Sequence, residues 1–124
     1  MNTVKMVAIV ILTLLSNTFS STNSEANCKL YVPNVFSPNS DGVNDKFLPE
    51  PGPECILSDY LLKVFNRRGA LVFESNALQE GWDGKYRGET AESGVYLYQI
   101  QYRIEGGVTE EAFELIQGDV ALIR

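Results

Sequence analysis

Side-chain oxygen is concentrated in one short stretch of this chain. Between the apolar pairs Val35-Phe36 and Phe47-Leu48 lie Ser37, Asn39, Ser40, Asp41, Asn44 and Asp45. The spacing can be set against an oxygen-ligand calcium loop. With Ser37 first, Asn39 falls third, Asp41 fifth, Gly42 sixth, the Val43 carbonyl seventh and Asp45 ninth. The pattern departs at both ends: a Ser opens it, and Leu48 stands where a bidentate Glu would close it. Two carboxylates with amide and carbonyl oxygens suit weak binding of a hard cation, and calcium is the one cofactor this chain suggests. The competing expectation is a self-bonded turn. Asn, Asp and Ser side chains bond nearby backbone amides, Pro33 and Pro38 restrain the chain, and Gly42 is free to take a positive φ.

Other chemistry is sparse. There is no histidine, and the only cysteines are Cys28 and Cys55, with no Cys-x-x-Cys spacing. No serine sits in a nucleophile elbow. The carboxylates Asp41, Asp45, Asp83 and Glu89 have no spacing that brings them together as an acid/base pair. An enzyme is not expected. Trp82, the single tryptophan, lies in Gly81-Trp82-Asp83-Gly84. Beside a turn its indole is expected to plug the core, while exposed next to Tyr86 it could stack on a sugar ring.

The chain must leave the cytoplasm. Lys5 precedes an apolar run, Met6 to Leu15, followed by small and polar residues. That is the layout of a signal peptide, and the run is too short to span a bilayer comfortably. Residues 1–26 are therefore expected to be a signal peptide and short leader, cleaved after Ser20 or after Ala26. Residues 27–124 make one domain, with no second long apolar run to make it integral to the membrane. In an exported chain, Cys28 and Cys55 are expected to form one disulfide. Acidic residues outnumber basic ones, 16 against 10 in 124 residues. The basic ones are dispersed apart from Arg67-Arg68, which argues against a nucleic-acid partner.

From Cys28 onward the periodicity is that of strands. Leu30 and Val32 alternate with Lys29 and Tyr31. Asp59 to Asn66 and Ala70 to Glu74 flank an Arg67-Arg68-Gly69 turn and predict a hairpin. Gly94 to Ile104 is the clearest strand, with Tyr96, Tyr98, Ile100, Tyr102 and Ile104 on one face. A Glu-Gly-Gly turn at 105–107 should lead into a strand from Val108 to Ile116. Gln117-Gly118-Asp119 should break it before a last strand at Val120 to Arg124. A helical turn at 110–114 is the alternative there. Short strands between turn signals predict an all-β fold: an Ig-like antiparallel β-sandwich of about six to eight short strands.

Five separated motifs carry a resemblance. Pro33-Asn34-Val35-Phe36-Ser37-Pro38-Asn39-Ser40-Asp41-Gly42-Val43-Asn44-Asp45 resembles the opening signature of the gliding motility-associated C-terminal domain family. That family supplies type B sorting domains to the type IX secretion system of Bacteroidetes. Leu62 to Arg67 with Gly69 resembles its hairpin signature, with Asn66, Arg67 and Gly69 as the turn residues. Trp82-Asp83-Gly84 resembles its central turn, and Gly94-Val95-Tyr96-Leu97-Tyr98 its tyrosine strand. Gly118 to Arg124 resembles its closing strand. The family form usually has Gly in place of Ser40 and Trp in place of Arg68, and its members normally trail a long cargo. The resemblance implies a sorting role, with the type IX machinery as partner. The export route runs through the periplasm to the cell surface or medium. A calcium-stiffened surface module that binds cell-surface polysaccharide or an anchor, using Trp82 and nearby tyrosines, is the other function class. Exposed aromatics would favour it, and buried ones the sorting role.

Overall fold

The computed structural model describes residues 28–105 and 113–124. They form nine strands and no helix: β1 (Leu30–Tyr31), β2 (Val35–Phe36), β3 (Glu50–Pro51), β4 (Leu57–Phe65), β5 (Leu71–Ser75), β6 (Lys85–Tyr86), β7 (Glu89–Thr90), β8 (Gly94–Ile104) and β9 (Glu114–Leu122). The principal sheet has the order β2-β9-β8-β4-β5, and β1-β3 and β6-β7 are separate two-stranded ribbons. The fold is all-β and two-layered, consistent with the expected sandwich.

Alternation of side chains decides which face of the sheet is covered. Tyr60, Leu62 and Val64 of β4 are buried, as are Tyr96, Ile100 and Tyr102 of β8 and Val120 and Leu122 of β9. Register brings these together in rows, with Tyr60 opposite Tyr102, Leu62 opposite Ile100 and Tyr96 opposite Val120. The second layer is mostly loops and ribbons. It covers the sheet with the buried side chains Phe47 and Trp82 and the half-buried Leu30, Val32 and Leu78, which pack with the buried Phe36 of β2. Burying each such large apolar side chain contributes about 1.5–3 kcal/mol. Burial also pushes the Tyr60 and Tyr102 phenols up to about 12; at Tyr102 the hydrogen bond to Glu114 and its charge act in the same direction.

The hairpin is as expected, with β4 and β5 antiparallel and a bulge between Val64 and Phe65. Asn66 holds the turn: its Oδ1 accepts the amides of Arg68 at 3.0 Å and Ala70 at 3.0 Å. The disulfide is present, Cys28 being bonded to Cys55 with Cα atoms 4.9 Å apart. Cys55 leads into β4 where Leu57 faces Ile104, so the bridge ties the β1-β3 ribbon to that end of the sheet.

Two expectations need correction. The sandwich is not wholly antiparallel: β2 pairs with β9 in parallel, Val35 opposite Ala121 and Phe36 opposite Leu122. Two residues carry no readable period, so the sequence could not show this direction. Second, Gln117-Gly118-Asp119 does not break a strand; β9 runs through it from Glu114 to Leu122. The expected stretch 108–112, and the start of the alternative helical turn, lie outside the described residues, while Glu114 is already β-strand. The segment between β5 and β8 contains the β6-β7 ribbon.

Gly118 is in the strand for reasons of space. It faces Tyr98 directly, and a Cβ there would lie 2.5 Å from the Tyr98 hydroxyl and 2.7 Å from its ring carbon Cζ. The Tyr98 ring cannot simply swing away, because it packs on Phe47 with centroids 5.3 Å apart. Gly118→Ala should therefore destabilise the domain by about 1–3 kcal/mol, as overpacking does. Urea denaturation would measure this, and unchanged stability would show that the ring has room to move.

Candidate functional site

The motifs singled out in the sequence meet at one end of the principal sheet. Trp82 is the centre of the group and is 0% exposed. Its ring lies 5.3 Å from Phe36 of the opening motif and 4.8 Å, edge-on, from Tyr96 of the tyrosine strand. Phe47 adjoins Phe36 at 6.2 Å. The backbones of Phe47 and Trp82 exchange two hydrogen bonds, at 2.8 and 3.0 Å. The indole N–H donates to the Lys85 carbonyl at 2.9 Å, so the one polar group of Trp82 is satisfied inside the core. A sugar-stacking role for Trp82 is thereby overturned, since neither ring face reaches solvent. Tyr86 is half-buried, with the Arg87 guanidinium 5.1 Å from its ring centroid.

The closing residues reach the same place. Arg124 donates from Nη2 to the Gly84 carbonyl at 2.9 Å and from Nε to the Ala91 carbonyl at 3.2 Å. The Ala91 amide also donates to the Gly84 carbonyl, at 2.8 Å. Gly84 has a φ of 77°, and a Cβ there would meet Pro38, Leu122 and Arg124 within 3.2 Å. Residues from the first and last motifs thus press on a single glycine of the third. The Tyr96 hydroxyl donates to the Glu92 carbonyl at 2.7 Å. Burial raises the Tyr96 phenol, the Glu92 charge adds to this, and Arg124 opposes it. Burial, then the Asp119 charge, raises Tyr98.

The hairpin motif stands somewhat apart. Register sets Phe65 opposite Leu97 and Gly94 opposite Leu122, so the turn of Asn66, Arg67 and Gly69 lies at the same end of the sheet. Its hydrogen bonds stay within the turn. Arg68, where the family usually has Trp, is exposed there.

The oxygen-rich loop projects from this end, and four of its side-chain oxygens accept amides of its own backbone. Asp45 accepts three amides: Asn39 at 3.2 Å and Ser40 at 2.9 Å on Oδ1, and Gly42 at 2.8 Å on Oδ2. Asn39 Oδ1 accepts the Asp41 amide at 3.1 Å, and Asp41 Oδ1 the Val43 amide at 2.8 Å. The Ser37 amide donates to the Asn44 carbonyl at 2.8 Å and closes the loop. Asn39, Asp41 and Asp45 thus hold backbone amides of the loop, the Val43 amide among them, while Ser37 is tied in through its own amide. Among the described residues no three His, Cys, Asp or Glu side chains gather in a way that could hold a metal ion. No described helix is long and apolar enough to cross a membrane.

Three loop residues take left-handed backbone: Ser40 at φ 62°, Gly42 at 83° and Asn44 at 52°. Glycine at position 42 is suited to this, whereas Ser40 carries a Cβ that the conformation disfavours by about 1–2 kcal/mol. That is the position at which the family form usually has Gly. Ser40→Gly should raise stability by about 0.5–1 kcal/mol, the relief of strain exceeding glycine's extra chain entropy. Asp45→Ala should lower it by about 1–2 kcal/mol, since three amides lose a charged acceptor. Chemical denaturation of the two variants tests both signs.

Comparison with known proteins agrees with this geometry. The chain matches the model of the CHU_C type IX secretion signal domain over residues 30–117, which takes in the loop, the hairpin, the Trp82 turn and the tyrosine strand. No curated protein matches it.

Proposed function

The chain belongs to the type IX secretion signal domain family, and on that premise we propose that its folded motif-bearing end is the address read by the type IX machinery. A domain of this family is a sorting module for export across the outer membrane. The observation that carries the finer reading is the convergence on Trp82 and Gly84 of segments from Phe36 to Arg124. An address built that way exists only in the folded chain. The domain acts without catalysis, by being recognised. Residues 1–26 deliver it to the periplasm as a signal peptide, and the folded domain then passes to the cell surface or medium. The association with gliding motility rests on the motif resemblance.

Residues 27–124 fused behind a periplasmically exported reporter should carry it to the surface or medium of a type IX-competent host. Removing Gly118 to Arg124 takes away half of β9 and both Arg124 bonds, leaving part of β8 unpaired. That truncation should strand the reporter in the periplasm. Retention of the complete fusion, in a host that exports an authentic type B domain, would contradict the sorting role.

Calcium enters this proposal as a stiffener of the loop at most. The amide donors already held by Asp41 and Asp45 favour the self-bonded turn. The melting temperature should accordingly be the same in millimolar calcium and in chelator. A rise in calcium that Asp41→Ala removes would instead establish the cation site.

A further inference from the structure

The principal sheet ends in two very different edges. At one, β5 is five residues long and its pairing with β4 carries a bulge, both ordinary protections against strand addition. At the other, β9 is nine residues long, and β2 pairs only with Ala121 and Leu122. Among the described residues no strand pairs with that edge over Glu114–Val120. The amides of Ala121 and Ile123 donate toward β2, to the carbonyls of Asn34 at 2.9 Å and Phe36 at 3.0 Å. Strand alternation therefore turns the amides of Leu115, Gln117 and Asp119 to the same side. Two of the usual protections are missing: β9 contains no Pro and no Lys. Leu115, 51% exposed, and Leu97, 50% exposed, add apolar surface beside the edge on the uncovered face of the sheet.

We propose that the edge of β9 from Leu115 to Asp119 docks an extended segment of another protein, which adds as a sixth strand in line with β2. The segment would set an apolar side chain beside Leu115 and, four residues away on the same face, a Lys or Arg beside Asp119. Two observations select this occupant. β2 already docks on the same edge by backbone pairing, so the added strand continues an existing interface. The ionisable side chains of β9, Glu114 and Asp119, are both acidic, which favours a basic segment. A second copy fits poorly: antiparallel pairing about Gln117 would set each Asp119 carboxylate against Leu115, between two chains of net charge −6. For its cellular consequence the inference rests on the sorting role; the binding itself does not.

The peptide Thr-Val-Thr-Thr-Thr-Lys-Thr, acetylated and amidated, sets Val and Lys four residues apart on one face, as Leu115 and Asp119 are, and is the probe, titrated against the isotope-labelled chain. Amide resonances of Leu115, Gln117 and Asp119 should shift, and the same peptide with Glu in place of Lys should give at least a tenfold weaker response. Gln117→Pro removes one outward amide at a place where an edge strand tolerates proline. It should keep the fold and abolish the shifts. If that variant unfolds, Leu115→Lys combined with Asp119→Lys repels the probe while leaving the backbone intact, and should do the same. In a type IX-competent host, the folded edge variant should be exported at least tenfold less than the unaltered chain. Shifts elsewhere, no shifts, or unchanged export of a folded edge variant would overturn the proposal. So would an unaltered chain that is dimeric while Gln117→Pro is monomeric, since the occupant would then be a second copy. Peptide binding at the edge with no export of the unaltered chain would leave the edge standing and remove the sorting role.

Discussion

A five-stranded sheet with one apolar face must be covered, and this chain has no described helix with which to do it. Trp82 is what makes the alternative work. Its ring fills the space over Tyr96 and beside Phe36, and its indole N–H finds the Lys85 carbonyl, so a large amphipathic side chain is buried with nothing left unpaired. Aromatic pairs of this kind contribute about 0.5–1.5 kcal/mol each beyond the area they bury. Because Lys85 lies in the β6-β7 ribbon, the same bond places that ribbon. The bridge between Phe47 and Trp82 places the loop that precedes it.

The remaining motif residues follow from this arrangement. Gly84 must be small because Pro38, Leu122 and Arg124 close on it, and Arg124 in turn holds the carbonyls of Gly84 and Ala91. Phe36 brings the opening motif into the core while β2 docks its backbone on β9. The oxygen-rich loop between Phe36 and Phe47 is then a connector whose ends are fixed by two buried rings and whose middle is held by Asp45. Motif residues that look like a recognition code in the sequence are, for the most part, the parts that make folding possible. What a partner meets is the surface they hold in place.

Much of this was legible in the sequence because the longest strands keep strict alternation. Gly94 to Ile104 could be bounded at both ends, and its tyrosine face is the buried one. The hairpin at Asn66 to Ala70 announced itself through its turn residues. Trp82 beside a turn pointed to the core. What was hidden depended on partners distant in sequence. β2 is two residues long, so its parallel pairing with β9 leaves no period to read. Gly118 resembles a break because glycine so often is one; only the Tyr98 ring lying across it explains a glycine within a strand. The loop oxygens matched cation spacing because amide donors and cations favour the same acceptor-rich side chains, and only the hydrogen bonds separate the two.

An address that is a product of folding differs from a linear signal in one testable way. Ile100 is fully buried in β8 and lies outside every motif, so Ile100→Asp should unfold the domain while leaving all the motifs intact as sequence. Export of the otherwise complete chain should be measured in a type IX-competent host, with protease resistance of the purified protein as the measure of folding. The account predicts an unfolded chain retained in the periplasm. An unfolded Ile100→Asp chain that still reached the surface or medium would contradict it and show that the machinery reads the motifs as extended peptide.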